Sequence, residues 1–144
     1  MAPILVARFM NAKKRILKNA YKYLSNVGDD FLEQLQTDLN KGLPFRKKHN
    51  LVISERYVIG CITWGGLNPI AIPKEQIREI AYAAYELVSI KRIIPVQEVF
   101  FRLENGKEIS MPVSDYGNIG LTLRALKDCG APIIDISHEK KYGR

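Results

Sequence analysis

The chain has 144 residues, 47% of them apolar and 26% charged, which predicts one folded domain and excludes intrinsic disorder of its body. Only two cysteines, Cys61 and Cys129, are present, which excludes a disulfide framework and predicts reduced thiols. The net charge is +7, and residues 1–50 hold ten basic against four acidic side chains. A basic front end of this kind indicates an anionic partner.

Residues 4–27 have the periodicity of a two-sided helix, at about 100° per residue. One side is apolar and carries Leu5, Phe9, Ala12, Ile16, Ala20, Tyr23, Leu24 and Val27. The other side is polar and mostly cationic and carries Arg8, Asn11, Lys14, Arg15, Lys18, Asn19, Lys22 and Ser25. Gly28 is predicted to end this helix.

A second helix is predicted to begin at Asp29 or Asp30, with Glu33 completing a capping box after Asp30. Its apolar stripe consists of Phe31, Leu32, Leu35 and Leu39, and it is predicted to end at Gly42 and Pro44. A basic cluster follows at residues 46–49.

Strands are predicted from Leu51 onward, because residues 51–53 and 57–64 are rich in β-branched and aromatic side chains. The three residues between them suit a tight connection, so these two strands are predicted to form a hairpin. Residues 69–72 predict a third short strand, which Pro73 ends.

The segment 74–94 fits two structures. Ile77, Ile80, Ala84 and Leu87 have helical spacing, and Pro73 suits the first turn of a helix. Apolar and polar side chains do not occupy alternate positions of the segment, as they would in a half-buried strand. The local pattern alone therefore favours a helix over a strand.

The last part of the chain predicts a hairpin, a helix and a short extended element. Asn105-Gly106 is a two-residue turn signal between strands at 96–103 and 107–113. A helix is predicted over 116–128, with Ile119, Leu123 and Leu126 inward, and Gly130 closes it. Residues 132–136 are predicted to be extended, and residues 138–144 to be frayed.

Several of these patterns resemble bacterial pleckstrin-homology-like (PH-like) domains over about residues 50–130. Residues 50–60 are similar to the opening hairpin, residues 69–80 to the third strand and its step into the fourth, residues 99–111 to the late hairpin, and residues 118–127 to the closing helix. The resemblance implies that residues 76–88 form one long strand. It also implies an α+β fold, a bent antiparallel sheet or partly open barrel with a C-terminal helix. Two helices precede that domain, so the chain divides into a helical segment at 1–42 and a PH-like domain at 43–144.

The basic residues predict the functional surface, whose candidates are Arg8, Lys14, Arg15, Lys18, Lys22, Arg46, Lys47 and Lys48. A cationic face opposite an apolar face suits a helix that lies on an anionic membrane, or one that docks a partner protein. Alternatively, the apolar face packs on the protein's own sheet or on a twin helix in a homo-oligomer, and the charges are merely solvated. Nucleic-acid binding through phosphate neutralisation is the second function that these residues predict.

No pattern predicts catalysis, a metal site or a cofactor. His49 and His138 lack a second ligand at helical spacing. Asp135, Ser137 and His138 have the residue types for acyl transfer, but neighbours along a strand cannot converge on one atom. No stretch reaches the roughly 18 apolar residues of a membrane span, and the N-terminus is a poor signal peptide. We therefore expect a non-enzymatic, cytoplasmic protein, peripheral to a membrane if it binds lipid.

Overall fold

The computed structural model describes residues 13–41, 45–46, 51–62, 68–113 and 119–140. In these ranges the protein is an α+β fold with three α-helices and two four-stranded sheets. The helices are α1 (Lys13–Tyr23), α2 (Phe31–Asn40) and α3 (Ile119–Leu126). The strands are β1 (Phe45–Arg46), β2 (Leu51–Ile53), β3 (Tyr57–Cys61), β4 (Pro69–Pro73), β5 (Ile77–Val88), β6 (Ile93–Leu103), β7 (Glu108–Pro112) and β8 (Ile133–Asp135).

The first sheet has the order β1-β2-β3-β4, and all of its neighbours are antiparallel. The second sheet has the order β7-β6-β5-β8, and its last pair, β5 with β8, is parallel. A short 3-10 helix, Lys74–Gln76, joins β4 to β5 and so connects the sheets. The described strands do not close into a barrel, and the parallel pair corrects the prediction of a purely antiparallel sheet.

The long strand β5 confirms what the PH-like resemblance implied, and the helix favoured by the local pattern is wrong. A register shift between Ile77 and Glu79 turns Ile77 and Ile80 toward the same core, although they are three residues apart. Ala81 and Ala83 are buried as well, but in a second, smaller cluster with Phe100. Because the strand is bulged and partly covered on both faces, its sequence does not alternate.

One main core unites the helices with both sheets. It includes Ile16 of α1, Leu35 of α2, Ile72 of β4, Phe101 of β6 and Leu126 of α3. The segments before and after residue 43 therefore share one apolar interior, which explains why the N-terminal helices are amphipathic.

The end of α1 differs from the prediction, which continued this helix to residue 27. Leu24 N still donates to Ala20 O at 2.8 Å, but the chain then leaves the helix. The Gln76 side-chain amide hydrogen-bonds both the N–H and the C=O of Ser25. Asn26 then has a left-handed φ of 54°. The predicted beginning of the helix, residues 4–12, lies outside the described residues.

The predicted second helix is confirmed, but its capping box is wrong. Asp30 occupies the N-cap position but makes no side-chain capping bond. Its carboxylate accepts instead from Gln34 Nε2 at 2.5 Å. The helix ends at Asn40 with Lys41 as its C-cap, and the predicted stop residues Gly42 and Pro44 lie outside the described ranges.

The C-terminal elements agree with the sequence patterns except at the end. Gly130 has a φ of 74° after α3 and its 3-10 extension Lys127–Cys129, as expected of a glycine that ends a helix. The extended tail is strand β8. Residues Ser137–Lys140 form a 3-10 helix rather than frayed chain, and residues 141–144 lie outside the described ranges.

Candidate functional site

The structure places half of the predicted site residues together. Lys14, Arg15, Lys18 and Lys22 are exposed on α1, and we call these four the α1 cationic face. Arg46 lies in the short strand β1, and only its backbone is described. Arg8, Lys47 and Lys48 lie outside the described residues. The α1 cationic face is therefore the part of the predicted surface that the structure describes with its side chains.

The apolar side of α1 is covered by the body of the protein. Ile16 is 1% exposed, and Ala20 and Leu24 are also buried in the main core. The helix packs chiefly on β4. Over the described part of the helix, this arrangement matches the alternative in which the apolar face packs on the protein's own sheet. That face is not available to lipid or to a twin helix.

A buried side chain ties the middle of α1 to the start of β4. Asn19 Nδ2 donates to Pro69 O at 2.7 Å and to Asn68 Oδ1 at 2.8 Å. The helical wheel had placed Asn19 on the wet side, so this prediction is wrong. A buried amide needs hydrogen-bond partners, and the strand end supplies them.

The chain that follows α1 is held by Gln76, whose side-chain amide acts like the backbone of a neighbouring strand. Gln76 Nε2 donates to Ser25 O at 2.7 Å, and Ser25 N donates to Gln76 Oε1 at 3.0 Å. This pair fixes the exit of the helix against the link between the two sheets.

The β6–β7 turn makes a third attachment, at the C-terminus of α1. Asn105 Nδ2 donates to Tyr23 O at 3.0 Å, and Lys107 Nζ donates to Lys22 O at 2.7 Å. A cation beside the last helix carbonyls is favourable there. Lys107 thus extends the positive surface beyond Lys22. Lys107 was not among the predicted site residues, because the Asn105-Gly106 signal predicts only a hairpin.

Lys14, Lys18 and Lys22 have no carboxylate of the described residues within 4.0 Å. The ion pairs of that part of the chain lie elsewhere, at Lys41–Glu55, Arg56–Asp38, Arg102–Glu79 and Arg102–Glu108. Lys22 instead lies over the Tyr23 ring, 5.2 Å from its centroid. These three ammonium groups therefore remain available to an external anion.

A cleft of about 590 Å³ lies beside the exit of α1, between α2, the β2–β3 turn and the link from β4 to β5. Its polar groups largely satisfy one another. Arg56 Nη2 donates to Gln34 O at 3.1 Å, Glu55 pairs with Lys41 at 2.7 Å, and Gln76 holds Ser25. The cleft is therefore best described as a junction between elements.

Asp38, which the sequence analysis also missed, anchors α2 at this junction. Its side chain is 0% exposed and accepts from Ser54 Oγ at 2.8 Å, Arg56 N at 2.9 Å and Arg56 Nε at 2.8 Å. Burial alone would raise the pKa of Asp38, but the hydrogen bonds from Arg56 and Ser54 outweigh it and hold that pKa below its ordinary value. A charged residue on an otherwise apolar helix stripe was the available signal.

Asp135 and Ser137, two of the residues whose types would suit acyl transfer, make hydrogen bonds that stabilise the fold. Ser137 Oγ accepts from Ala84 N at 3.0 Å, and Ser137 N donates to Asp135 Oδ1 at 2.8 Å. Burial raises the pKa of the Cys129 thiol to about 11, so this free cysteine is a poor nucleophile. Within the described ranges, His, Cys, Asp and Glu side chains form no cluster of three that suits a metal ion.

Two further findings bear on the class of protein. None of the helices described is both long and apolar enough to cross a bilayer. The chain matches no protein-family model and no curated protein. The PH-like resemblance therefore remains a prediction.

Proposed function

We propose that this protein is a PH-like, non-enzymatic binding module that docks on an anionic membrane surface through the α1 cationic face. The observation that carries the proposal is a row of three lysines, Lys14, Lys18 and Lys22, on a helix whose other side is fastened to the body. The row is exposed, and no carboxylate of the described residues neutralises it.

The spacing of this row suits a flat anionic surface. The three lysines are four residues apart, so they form a line that spans about 12 Å at 1.5 Å per residue. Near an anionic leaflet each cation contributes roughly 1 kcal/mol, and the contribution falls off within a Debye length. Because the apolar side of α1 is buried, this helix binds by charge and does not insert.

The order of the elements supports the PH-like part of the proposal. The opening hairpin β2–β3, the strand β4, the step into β5, the late hairpin β6–β7 and the helix α3 follow one another as the resemblance implies. The two N-terminal helices are an addition to that outline, and they carry the cationic face.

The test is co-sedimentation with phosphatidylglycerol-containing vesicles and with neutral phosphatidylcholine vesicles. Wild-type protein is expected to bind the anionic vesicles only, and less as salt increases. The triple variant Lys14→Glu, Lys18→Glu, Lys22→Glu should lose about a hundredfold or more in affinity, since each lysine contributes roughly 1 kcal/mol.

The matched control is the triple variant Arg78→Glu, Arg124→Glu, Lys127→Glu, which changes the net charge equally at exposed positions outside α1. It should bind much more strongly than the α1 variant. Equal losses in the two variants would show that net charge alone drives binding. Absence of wild-type binding to anionic vesicles would reject the proposal.

A second candidate, binding of single-stranded nucleic acid, is favoured by one observation. Tyr21 is 59% exposed on α1, beside Lys18 and Lys22. A base that stacks on an exposed ring contributes about 1–3 kcal/mol. If this candidate is correct, Tyr21→Ala should weaken oligonucleotide binding about tenfold or more, and affinity should fall steeply with salt. A flat response to salt would exclude phosphate contacts.

A further inference from the structure

The hairpin between β5 and β6 exposes apolar side chains that nothing in the described structure covers. Leu87, Val88, Ser89, Ile90, Lys91, Arg92, Ile93 and Ile94 form its end, and we call these eight residues the ribbon tip. Val88 is 74% exposed, Ile93 is 59% exposed and Ile90 is fully exposed. The sequence patterns predicted secondary structure for residues 74–94 but no function for residues 89–95. The available signal was five apolar residues, Leu87, Val88, Ile90, Ile93 and Ile94, around the basic pair Lys91-Arg92.

The sheet topology explains this exposure. Strand β7 pairs with β6 only as far as Glu98, and β8 pairs with β5 only as far as Tyr82. Just past these points Val113 N still donates to Gln97 O, and Ala84 N donates to Ser137 Oγ. Farther out, among the described residues, β5 and β6 pair only with each other, from Tyr85 opposite Val96 to Val88 opposite Ile93. At about 3.4 Å per residue, this two-stranded ribbon extends roughly 14 Å past its last neighbour.

The ribbon tip is apolar on both faces and at its end. Val88 and Ile93 are cross-strand partners and share one face, while Leu87 and Ile94 are partners on the opposite face. Ile90 lies in the turn that joins them. A flat protein surface would cover one of these faces, whereas a medium that surrounds the tip would cover all of them.

The charged residues of the ribbon tip indicate which kind of medium would surround it. Lys91 and Arg92 lie at the turn, and no acidic residue occurs between Glu86 and Glu98. Of these two carboxylates, Glu98 already accepts hydrogen bonds from Tyr85 and Ser110. Apolar side chains beside unopposed cations match a lipid boundary with anionic headgroups, where long cationic side chains reach the headgroups.

Three hydrogen bonds between Ser89 and Arg92 close the turn. Ser89 N donates to Arg92 O at 2.9 Å, Ser89 Oγ donates to the same carbonyl at 2.9 Å, and Arg92 N donates to Ser89 Oγ at 3.2 Å. Polar backbone groups are costly to move out of water unless they are bonded internally. These bonds satisfy the N–H groups of Ser89 and Arg92 and the carbonyl of Arg92, which lowers the cost of moving those groups toward the headgroup boundary.

We propose that the ribbon tip inserts into the headgroup boundary of an anionic bilayer, with Val88, Ile90 and Ile93 as the inserting side chains and Lys91 and Arg92 as the headgroup contacts. This inference rests on the proposed function, because it assigns the same kind of anionic surface to a second part of the protein. A second copy of the chain is a less suitable occupant. The exposed side chains offer little of the roughly 800 Å² per partner that a stable interface buries, and two tips would bring like charges together.

The first arm of the test replaces Val88, Ile90 and Ile93 together by serine. All charges remain, and the side chains are exposed, so folding should be unaffected. Affinity for phosphatidylglycerol-containing vesicles should fall about tenfold or more, because apolar burial is lost. The matched control replaces the same three residues by leucine and should bind like the wild type.

The second arm introduces a fluorescent reporter at the turn, Ile90→Trp. Its emission should shift to the blue on anionic vesicles and be quenched by brominated lipid. The wild type measures the contribution of Trp64, the one tryptophan of the chain. Normal vesicle binding with no emission shift and no loss in the serine variant would overturn this inference and leave the proposed function standing.

Two other outcomes also decide the matter. No wild-type binding to anionic vesicles would overturn the proposed function and this inference together. A lipid-free oligomer in sedimentation experiments that the serine variant abolishes would identify a second copy as the occupant of the ribbon tip, and would overturn the lipid assignment.

Discussion

Helix α1 and the ribbon tip are built from similar residues but have opposite arrangements. Both combine lysine or arginine with isoleucine and leucine. In α1 Ile16 and Ala20 are buried and the cations face solvent, whereas in the ribbon tip Val88, Ile90 and Ile93 are exposed together with Lys91 and Arg92. The comparison teaches that an apolar pattern reports what an element is able to bury, while its neighbours decide whether it is buried.

Helix α1 and the ribbon tip differ in how they are attached to the rest of the protein. Helix α1 is attached at three places, by Asn19 to Pro69, by Gln76 to Ser25, and by the β6–β7 turn to the last helix carbonyls. The ribbon continues after its neighbouring strands have ended. An exposed apolar surface at the end of a sheet promotes association. The exposed ribbon tip therefore indicates a binding partner.

The largest expected effect tests this comparison with one substitution at two sites. Ile16→Ser should lower the free energy of unfolding by about 4 kcal/mol, because it removes a buried side chain and places a hydroxyl in the core. Ile90→Ser should leave that free energy nearly unchanged, because Ile90 is already in water. Urea denaturation of both variants checks the pair.

The same pair separates stability from binding. Ile90→Ser should weaken vesicle binding in a protein of wild-type stability. A substantial loss of stability in Ile90→Ser would show that the ribbon tip is covered by the protein itself, and the comparison with α1 would then fail.

The buried polar contacts of the anchored region should have the next largest effect. Asp38→Ala should cost about 3 kcal/mol, because the buried Ser54 hydroxyl and the Arg56 backbone N–H lose their acceptor. Thermal unfolding measures it. The control Glu55→Ala removes an exposed ion pair and should leave the midpoint of unfolding unchanged.

The Asp38 contribution should also depend on pH with a definite sign. Its pKa is lowered in the folded protein, so the charged form binds best and its stabilisation is fully present above the ordinary value of 3.8. The stabilisation is lost as pH falls below that value, through the folded pKa. The stability difference between wild type and Asp38→Asn should therefore shrink on acidification, and a difference that grows would contradict the assignment.

The smallest expected effect lies at the base of the ribbon, where β5 and β6 pass from the buried part of the sheet into solvent. Gln97 Oε1 is buried there, and it has no hydrogen-bond partner among the residues that the structure describes. Gln97→Met keeps the shape and removes the unsatisfied acceptor, so it should raise the free energy of unfolding by about 1 kcal/mol. Gln36→Met, which removes an amide bonded to Asn40 on the exposed side of α2, is the control and should give no gain.

Much of the fold could be predicted from local signals. Asn105-Gly106 predicted its hairpin because both residues tolerate a positive φ, and Gly106 has a φ of 86°. Gly130 predicted the end of the last helix for the same reason. Strand β5 could not be predicted from its own pattern, because the bulge after Ile77 and the cover on its second face are set by β6 and β8.

The candidate site was predicted in part. The exposed lysines of α1 followed from helical periodicity, whereas Asn19 was assigned to the wrong side and Lys107 was not expected. Both errors have one cause. The partners of these residues, Pro69 and Lys22, are distant in sequence, and a helical wheel contains no information about them.

The sequence by itself determined which segments are amphipathic, where turns and helix ends occur, and that the positive charge is concentrated near the start of the chain. These features depend on residues that are close together in the chain, so propensity and period are sufficient to read them. The tertiary structure decided that the apolar side of α1 is covered, that Asp38 is buried and charged, and that the ribbon tip is exposed. Each of these depends on which distant strand or side chain lies nearby, because burial and hydrogen-bond satisfaction are properties of the assembled fold.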